Sequence, residues 1–126
     1  MPVLIVEDDL RQAGAYVGAL KDSLDGCEVA VTLADARARI MRKRFDLVVL
    51  DLFLPDGDTV ALSHDIKLRH PQTPIISITA TDVFAWGNRY PTMMRTDFLL
   101  RKPVAMGELA RLASLLCGDR PRGHCA

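Results

Sequence analysis

The sequence is poor in several things whose absence is informative. Only three cysteines, Cys27, Cys117 and Cys125, occur in 126 residues, and no two form a C-x-x-C pair. An odd number at these spacings supplies neither a disulfide framework nor a zinc-ligand set, and suits reduced thiols. Charge of one sign is not in excess either. Sixteen Lys and Arg balance 16 Asp and Glu, for a formal net charge of zero, which argues against a dedicated nucleic-acid binder. Long hydrophobic runs are missing. The first apolar run, Val3 to Val6, is too short to cross a bilayer. Acids follow it and no basic segment precedes it, so it is not a signal peptide. The expectation is a cytoplasmic protein without membrane contact. Basic residues do gather between Arg37 and Arg44, where they read as the wet face of a helix.

What is present suits one ordinary domain: 49% of residues are hydrophobic and 25% charged. Short apolar runs alternate with helical patterns. Strands are expected at Val3–Val6, Glu28–Val31, Leu47–Leu50, Ile75–Ile78 and Phe98–Leu100. Helices are expected from Leu10 to Leu24 (Ala13, Val17 and Leu20 inward), Asp35 to Lys43 (Ala36, Ile40 and Met41 inward), Thr59 to Arg69 (apolar at Val60, Leu62, Ile66 and Leu68) and Ala105 to Leu116. Asp82 to Met94 contains Gly87 and Pro91, so any helix there should be short or broken. Trp86 and Tyr90 in that stretch are either core or partner surface. The apolar residues of the strands are consecutive rather than alternating, as when helices cover both faces of a parallel sheet. The pattern predicts an α/β fold with right-handed crossovers. Residues 1–117 form the domain, and 118–126, rich in Gly, Arg and Pro, form a flexible tail. The residues given after Leu116 cannot themselves fold into a DNA-binding module, so the chain reads as a stand-alone regulator or the receiver piece of a longer protein.

Polar residues fall just past the strands. Glu7, Asp8 and Asp9 follow the first, Asp51 follows the third, Ser77 and Thr79 end the fourth, and Arg101, Lys102 and Pro103 close the fifth. Ligands of open parallel sheets bind at that carboxyl edge. Carboxylates converging there either raise their pKa values or recruit a cation. Oxygen donors suit Mg²⁺. With a lysine and a hydroxyl opposite, the set makes a site for a phosphoryl group. One carboxylate could be the nucleophile, forming an aspartyl phosphate, and Asp51 is the best candidate. Asp9 reads as a helix cap rather than a metal ligand, and Asp56 and Asp58 as turn and cap residues. His64, His70 and His124 read as a surface, a helix-end and a tail residue.

VEDD after the first strand, DLFLPDGD after the third, SITA at the fourth and RKP after the fifth together resemble the receiver domain of two-component response regulators, from about Val3 to Leu116. The resemblance implies a flavodoxin-like fold with strand order 2-1-3-4-5. It implies that Asp51 accepts a phosphoryl group from a sensor histidine kinase or histidine phosphotransferase, with Mg²⁺ as cofactor, and that the chain signals through a conformational change. Glu7 and Asp8 match the metal-binding acids. Phe53 matches the position whose backbone carbonyl binds the metal, and the Ala80 N–H one that faces the phosphoryl group. Thr79 and Lys102 match the switching hydroxyl and the phosphoryl-binding lysine, and the Lys102–Pro103 peptide is expected to be cis. The chain would catalyse its own phosphorylation and slow dephosphorylation without being a turnover enzyme. A large ring at Phe53 is expected to shield the acyl phosphate. The partner would be a downstream protein or an absent output domain, and a homodimer would form through the Asp82–Met94 segment, the fifth strand and the last helix.

Two departures from the family pattern stand out. Leu99 occupies the place of the switch aromatic and Phe98 lies one residue early, so either a bulge corrects the register or the coupling of Thr79 to an aromatic is absent. Thr59 stands where receivers often carry Gly. The other reading in the same fold is a receiver-like adaptor that works by protein contacts without phosphorylation. A haloacid-dehalogenase-type hydrolase would need an Asp where Phe53 stands, and a flavin carrier would not place acids after the first strand.

Overall fold

The structure, a computed structural model, describes residues 2–21, 26–80 and 94–117. Five strands, β1 (Val3–Val6), β2 (Cys27–Ala30), β3 (Leu47–Asp51), β6 (Ile75–Thr79) and β7 (Phe98–Arg101), form a parallel sheet. Their order is β2-β1-β3-β6-β7, the flavodoxin-like order expected when these strands are numbered one to five. Between β3 and the next helix, β4 (Phe53–Leu54) and β5 (Gly57–Asp58) make a two-residue antiparallel pair. The expected Pro-Asp-Gly turn is thus the tip of a small hairpin. Gly57 has φ 139°, and a Cβ there would stand 3.1 Å from Leu33 Cδ1, so both backbone and space favour glycine.

The helices are α1 (Leu10–Leu20), α2 (Leu33–Arg42), α3 (Val60–Arg69) and α4 (Met106–Cys117). Asp9 caps α1, accepting from the N–H groups of Arg11 and Gln12. Thr32 caps α2 through the Asp35 N–H. Asp58 accepts from the Val60 N–H at 3.0 Å. Asp56 reaches further than a turn residue usually does: its carboxylate accepts from the N–H groups of Leu33 and Ala34 and so ties the hairpin to the start of α2.

Alternation along β1, β3 and β6 divides the core in two. Val3, Ile5 and Ile78 face α1 and α4 with Tyr16, Leu20 and Leu109. Leu4, Val6 and Leu50 face α2 and α3 with Ile40, Leu62 and Ile66. Two apolar assignments are corrected. Met41 is 59% exposed and Leu68 82% exposed. Each lies well off the line of its helix's i, i+4 core pair, Ala36–Ile40 or Leu62–Ile66, because successive residues turn by about 100°. On α1, Tyr16 rather than Val17 is the fully buried residue beside Ala13 and Leu20.

The basic stretch from Arg37 to Arg44 is largely paired. Arg37 pairs with Asp65, Arg39 with Asp35 and Glu28, and Lys43 with Glu28. The expectation for Asp82 to Met94 falls mainly on residues 81–93, that for the end of the first helix on residues 22–25, and the tail on 118–126, all outside the described residues. No helix among the described residues is long and apolar enough to cross a membrane.

Candidate functional site

Register brings the polar strand ends together. Val6 pairs with Leu50, so the next residues, Glu7 and Asp51, stand side by side at the rim. Asp51 in turn pairs with Ile78, and Thr79 with Arg101. Ladder-like hydrogen bonds continue past the strand ends. Glu7 N donates to Ala30 O at 3.0 Å, Leu52 N to Ile78 O at 2.9 Å, and Lys102 N to Thr79 O at 2.8 Å. The rim residues therefore sit on rigid backbone.

One carboxylate oxygen from each of Glu7, Asp8 and Asp51 lies within 4.8 Å of the others. Glu7 is 1% and Asp51 7% exposed, whereas Asp8 is open to solvent. Lys102 Nζ stands 3.2 Å from Asp51 Oδ2 and 3.5 Å from Glu7 Oε1. Glu7 Oε2 accepts from the Asp9 N–H at 3.2 Å, but the buried Oε1 accepts no hydrogen bond from the described residues.

The electrostatics follow from this crowding. Burial, and then the neighbouring Asp51 carboxylate, push the Glu7 carboxyl up to about 7. Burial alone would lower Lys102, yet the Asp51 and Glu7 carboxylates outweigh it and raise the ammonium above its ordinary value. Burial, then Glu7, raises the Tyr16 phenol on α1. The rim is thus short of positive charge. Its donors are hard oxygens, and a buried Oε1 without a hydrogen bond accompanies them, so the set fits a small divalent cation.

The remaining candidates lie around this cluster. Thr79 is fully buried at the end of β6, and among the described residues its hydroxyl donates to Ala80 O at 3.4 Å. Ala80 is exposed. Phe53 sits in β4 opposite Asp58 with 41% of its surface exposed. The Lys102–Pro103 peptide is cis. Strand β7 pairs with β6 without interruption from Phe98 to Arg101, so no bulge shifts the register. Leu99 shares the face of Ser77 and Thr79, and Phe98 lies on the other.

The sequence reading gave two residues near the rim no role there. Thr59 occupies the N-cap of α3 without capping it; its hydroxyl turns back to Asp51 O at 2.8 Å and Leu52 O at 3.2 Å. A hydroxyl just before an apolar-periodic helix is itself a cap signal, but nothing in the sequence tells which carbonyl it prefers. Tyr16 lies beneath the acids, and helical periodicity gave it no special place.

The family model described as the response regulator receiver domain matches residues 3–114. The chain belongs to this family. It is a receiver domain of two-component response regulators. Among curated relatives, it is 38% identical over 119 residues to the transcriptional regulatory protein PmrA of Pectobacterium parmentieri, covering 92% of this chain and 52% of PmrA. It is 32% identical over 125 residues to the transcriptional regulatory protein BasR of Escherichia coli, covering 98% of this chain and 56% of BasR. The receiver chain thus spans about half the length of these regulators. Among solved structures, the receiver domain of NtrX from Brucella abortus superposes with a TM-score of 0.79 at 23% identity, covering 94% of this chain and 99% of that one. A CheY-like receiver domain protein from Methanospirillum hungatei gives 0.78 at 23% identity, over 91% and 92% of the two chains. These two likenesses concern the fold.

Proposed function

We propose that Asp51 is the phosphoacceptor of this receiver domain. A carboxylate oxygen of Asp51 attacks the phosphorus of a phosphohistidine on a partner kinase or phosphotransferase. The P–O bond to Asp51 forms as the P–N bond to the imidazole breaks, and the imidazole leaves neutral after taking up a proton. The observation that carries this reading is the placement of Lys102 Nζ 3.2 Å from Asp51 Oδ2, beside two further acids. The ammonium is in position to neutralise a phosphoryl oxygen once the acceptor is esterified.

Asp8 and Asp51, with Glu7 through water and the Phe53 carbonyl, would hold Mg²⁺. The ion supplies charge neutralisation for the oxygens of the transferring group. The Thr79 hydroxyl and the Ala80 N–H are the donors nearest in sequence to the rim end of β6, and would serve the phosphoryl group after transfer. The downstream element is a protein target or an output domain. Self-association would use β7, α4 and the segment before β7. The compartment is the cytoplasm, where histidine kinases present their phosphohistidine.

Incubation with acetyl phosphate and Mg²⁺ tests the reading by intact mass. The expected result is the gain of one phosphoryl group, abolished by Asp51→Asn and by removal of Mg²⁺. Absence of any gain in the wild-type chain would leave the adaptor reading instead.

A further inference from the structure

The side chain that grips the acceptor's own backbone is not one of the acids. Thr59 is fully buried where the hairpin enters α3. Its hydroxyl has one hydrogen to donate and points it at two carbonyls, Asp51 O at 2.8 Å and Leu52 O at 3.2 Å. Its own N–H donates to Leu52 O at 2.9 Å. One residue thus holds the chain on either side of the Asp51–Leu52 peptide bond. The same hydroxyl also lies 3.9 Å from the Sδ of the buried Met94, a weak third acceptor for its hydrogen. One turn further along the same face of α3, Ser63 Oγ donates to Val60 O at 2.6 Å and accepts from the Arg95 N–H at 3.0 Å. Two buried hydroxyls, i and i+4 on one helix, therefore join the acceptor peptide to the chain entering β7.

We infer that Thr59 is a positioning residue for phosphoryl transfer: its hydroxyl fixes the peptide from which the Asp51 carboxylate projects and couples that peptide to Met94. The inference rests on Asp51 being the acceptor. A carboxylate on a loosened peptide samples more directions and spends less time aligned for attack, which slows the chemical step without weakening the encounter with the donor. Movement of the peptide after esterification is felt at Met94 only while the hydroxyl spans the two.

Thr59→Val keeps the shape of the side chain and removes the donor; Thr59→Ser keeps the donor. Thr59→Gly removes both, and serves if the valine distorts the turn. All are compared with wild type by initial rates of phosphorylation across acetyl phosphate concentrations at saturating Mg²⁺. The methyl resonance of Met94 is followed as beryllofluoride is added. The expected result is a maximal rate roughly tenfold lower in Thr59→Val with little change in the half-saturating donor concentration, and Thr59→Ser within about twofold of wild type. The Met94 resonance should shift on addition of beryllofluoride in wild type and Thr59→Ser but not in Thr59→Val. A wild-type rate in both Thr59→Val and Thr59→Gly, or the same Met94 shift in every variant, overturns the inference and leaves the acceptor reading intact. A wild-type chain that takes up no phosphoryl group overturns both.

Discussion

At the scale of single residues, the site separates into groups whose position follows from where a strand ends and groups whose position does not. Glu7, Asp51 and Lys102 are of the first kind. Each is carried by a register pairing or by a hydrogen bond that extends one, and their convergence was legible in the order of acids and lysine after apolar runs. Thr59 is of the second kind. Its hydroxyl chose the Asp51 and Leu52 carbonyls over its own helix, a choice between local partners that composition and periodicity do not encode. Phe53 lies between the two kinds. Its place two residues past Asp51 was readable, and the residue is 41% exposed. On the proposed acceptor role of Asp51, a ring there would hinder the approach of water to an acyl phosphate, whereas a short amide would help to hold that water. Phe53→Asn should therefore shorten the lifetime of the phosphoprotein several-fold, measured by the decay of the phosphorylated mass after donor is removed. An unchanged lifetime would mean that the ring does not guard the site.

At the scale of elements, all five sheet strands and the four described helices were readable, because consecutive apolar residues and helical spacing are strong signals. Boundaries moved by one or two residues, as at Thr32, whose side chain caps α2. The β4–β5 pair was visible only as a turn, since two residues per strand carry no periodicity. The inward faces of α2 and α3 were read too broadly. Adding Met41 and Leu68 widened each apolar face beyond the stripe that a helix packed on a sheet buries. Alanine substitutions on α3 check the corrected face. Ile66→Ala, at a fully buried position, should cost about 2–5 kcal/mol in denaturant unfolding. Leu68→Ala, two residues on and 82% exposed, should stay within about 0.5 kcal/mol. Equal costs would place Leu68 back in the core.

At the scale of the whole molecule, the acidic rim makes stability depend on pH in an unusual direction. The Glu7 carboxyl is raised from 4.5 to about 7 by burial and by Asp51. Between those values the folded chain binds more protons than the unfolded one. The contribution of Glu7 is thus fully present below 4.5 and is lost as pH rises through about 7. In thermal melts without Mg²⁺, the wild-type chain should lose up to about 3 kcal/mol across that window. Glu7→Gln should flatten the dependence, and Mg²⁺ should restore stability most at the alkaline end, where Glu7 is already ionised and the cation offsets the carboxylate repulsion without displacing a proton. A profile identical in wild type and Glu7→Gln would remove Glu7 as the cause. Lys102 sets a limit on how far this loss can go. Its ammonium already lies against both buried carboxylates, so the chain carries a resident counter-ion of its own. Starving the domain of divalent metal should therefore leave it mute but still folded: a chelator would stop the chemistry long before it melted the protein.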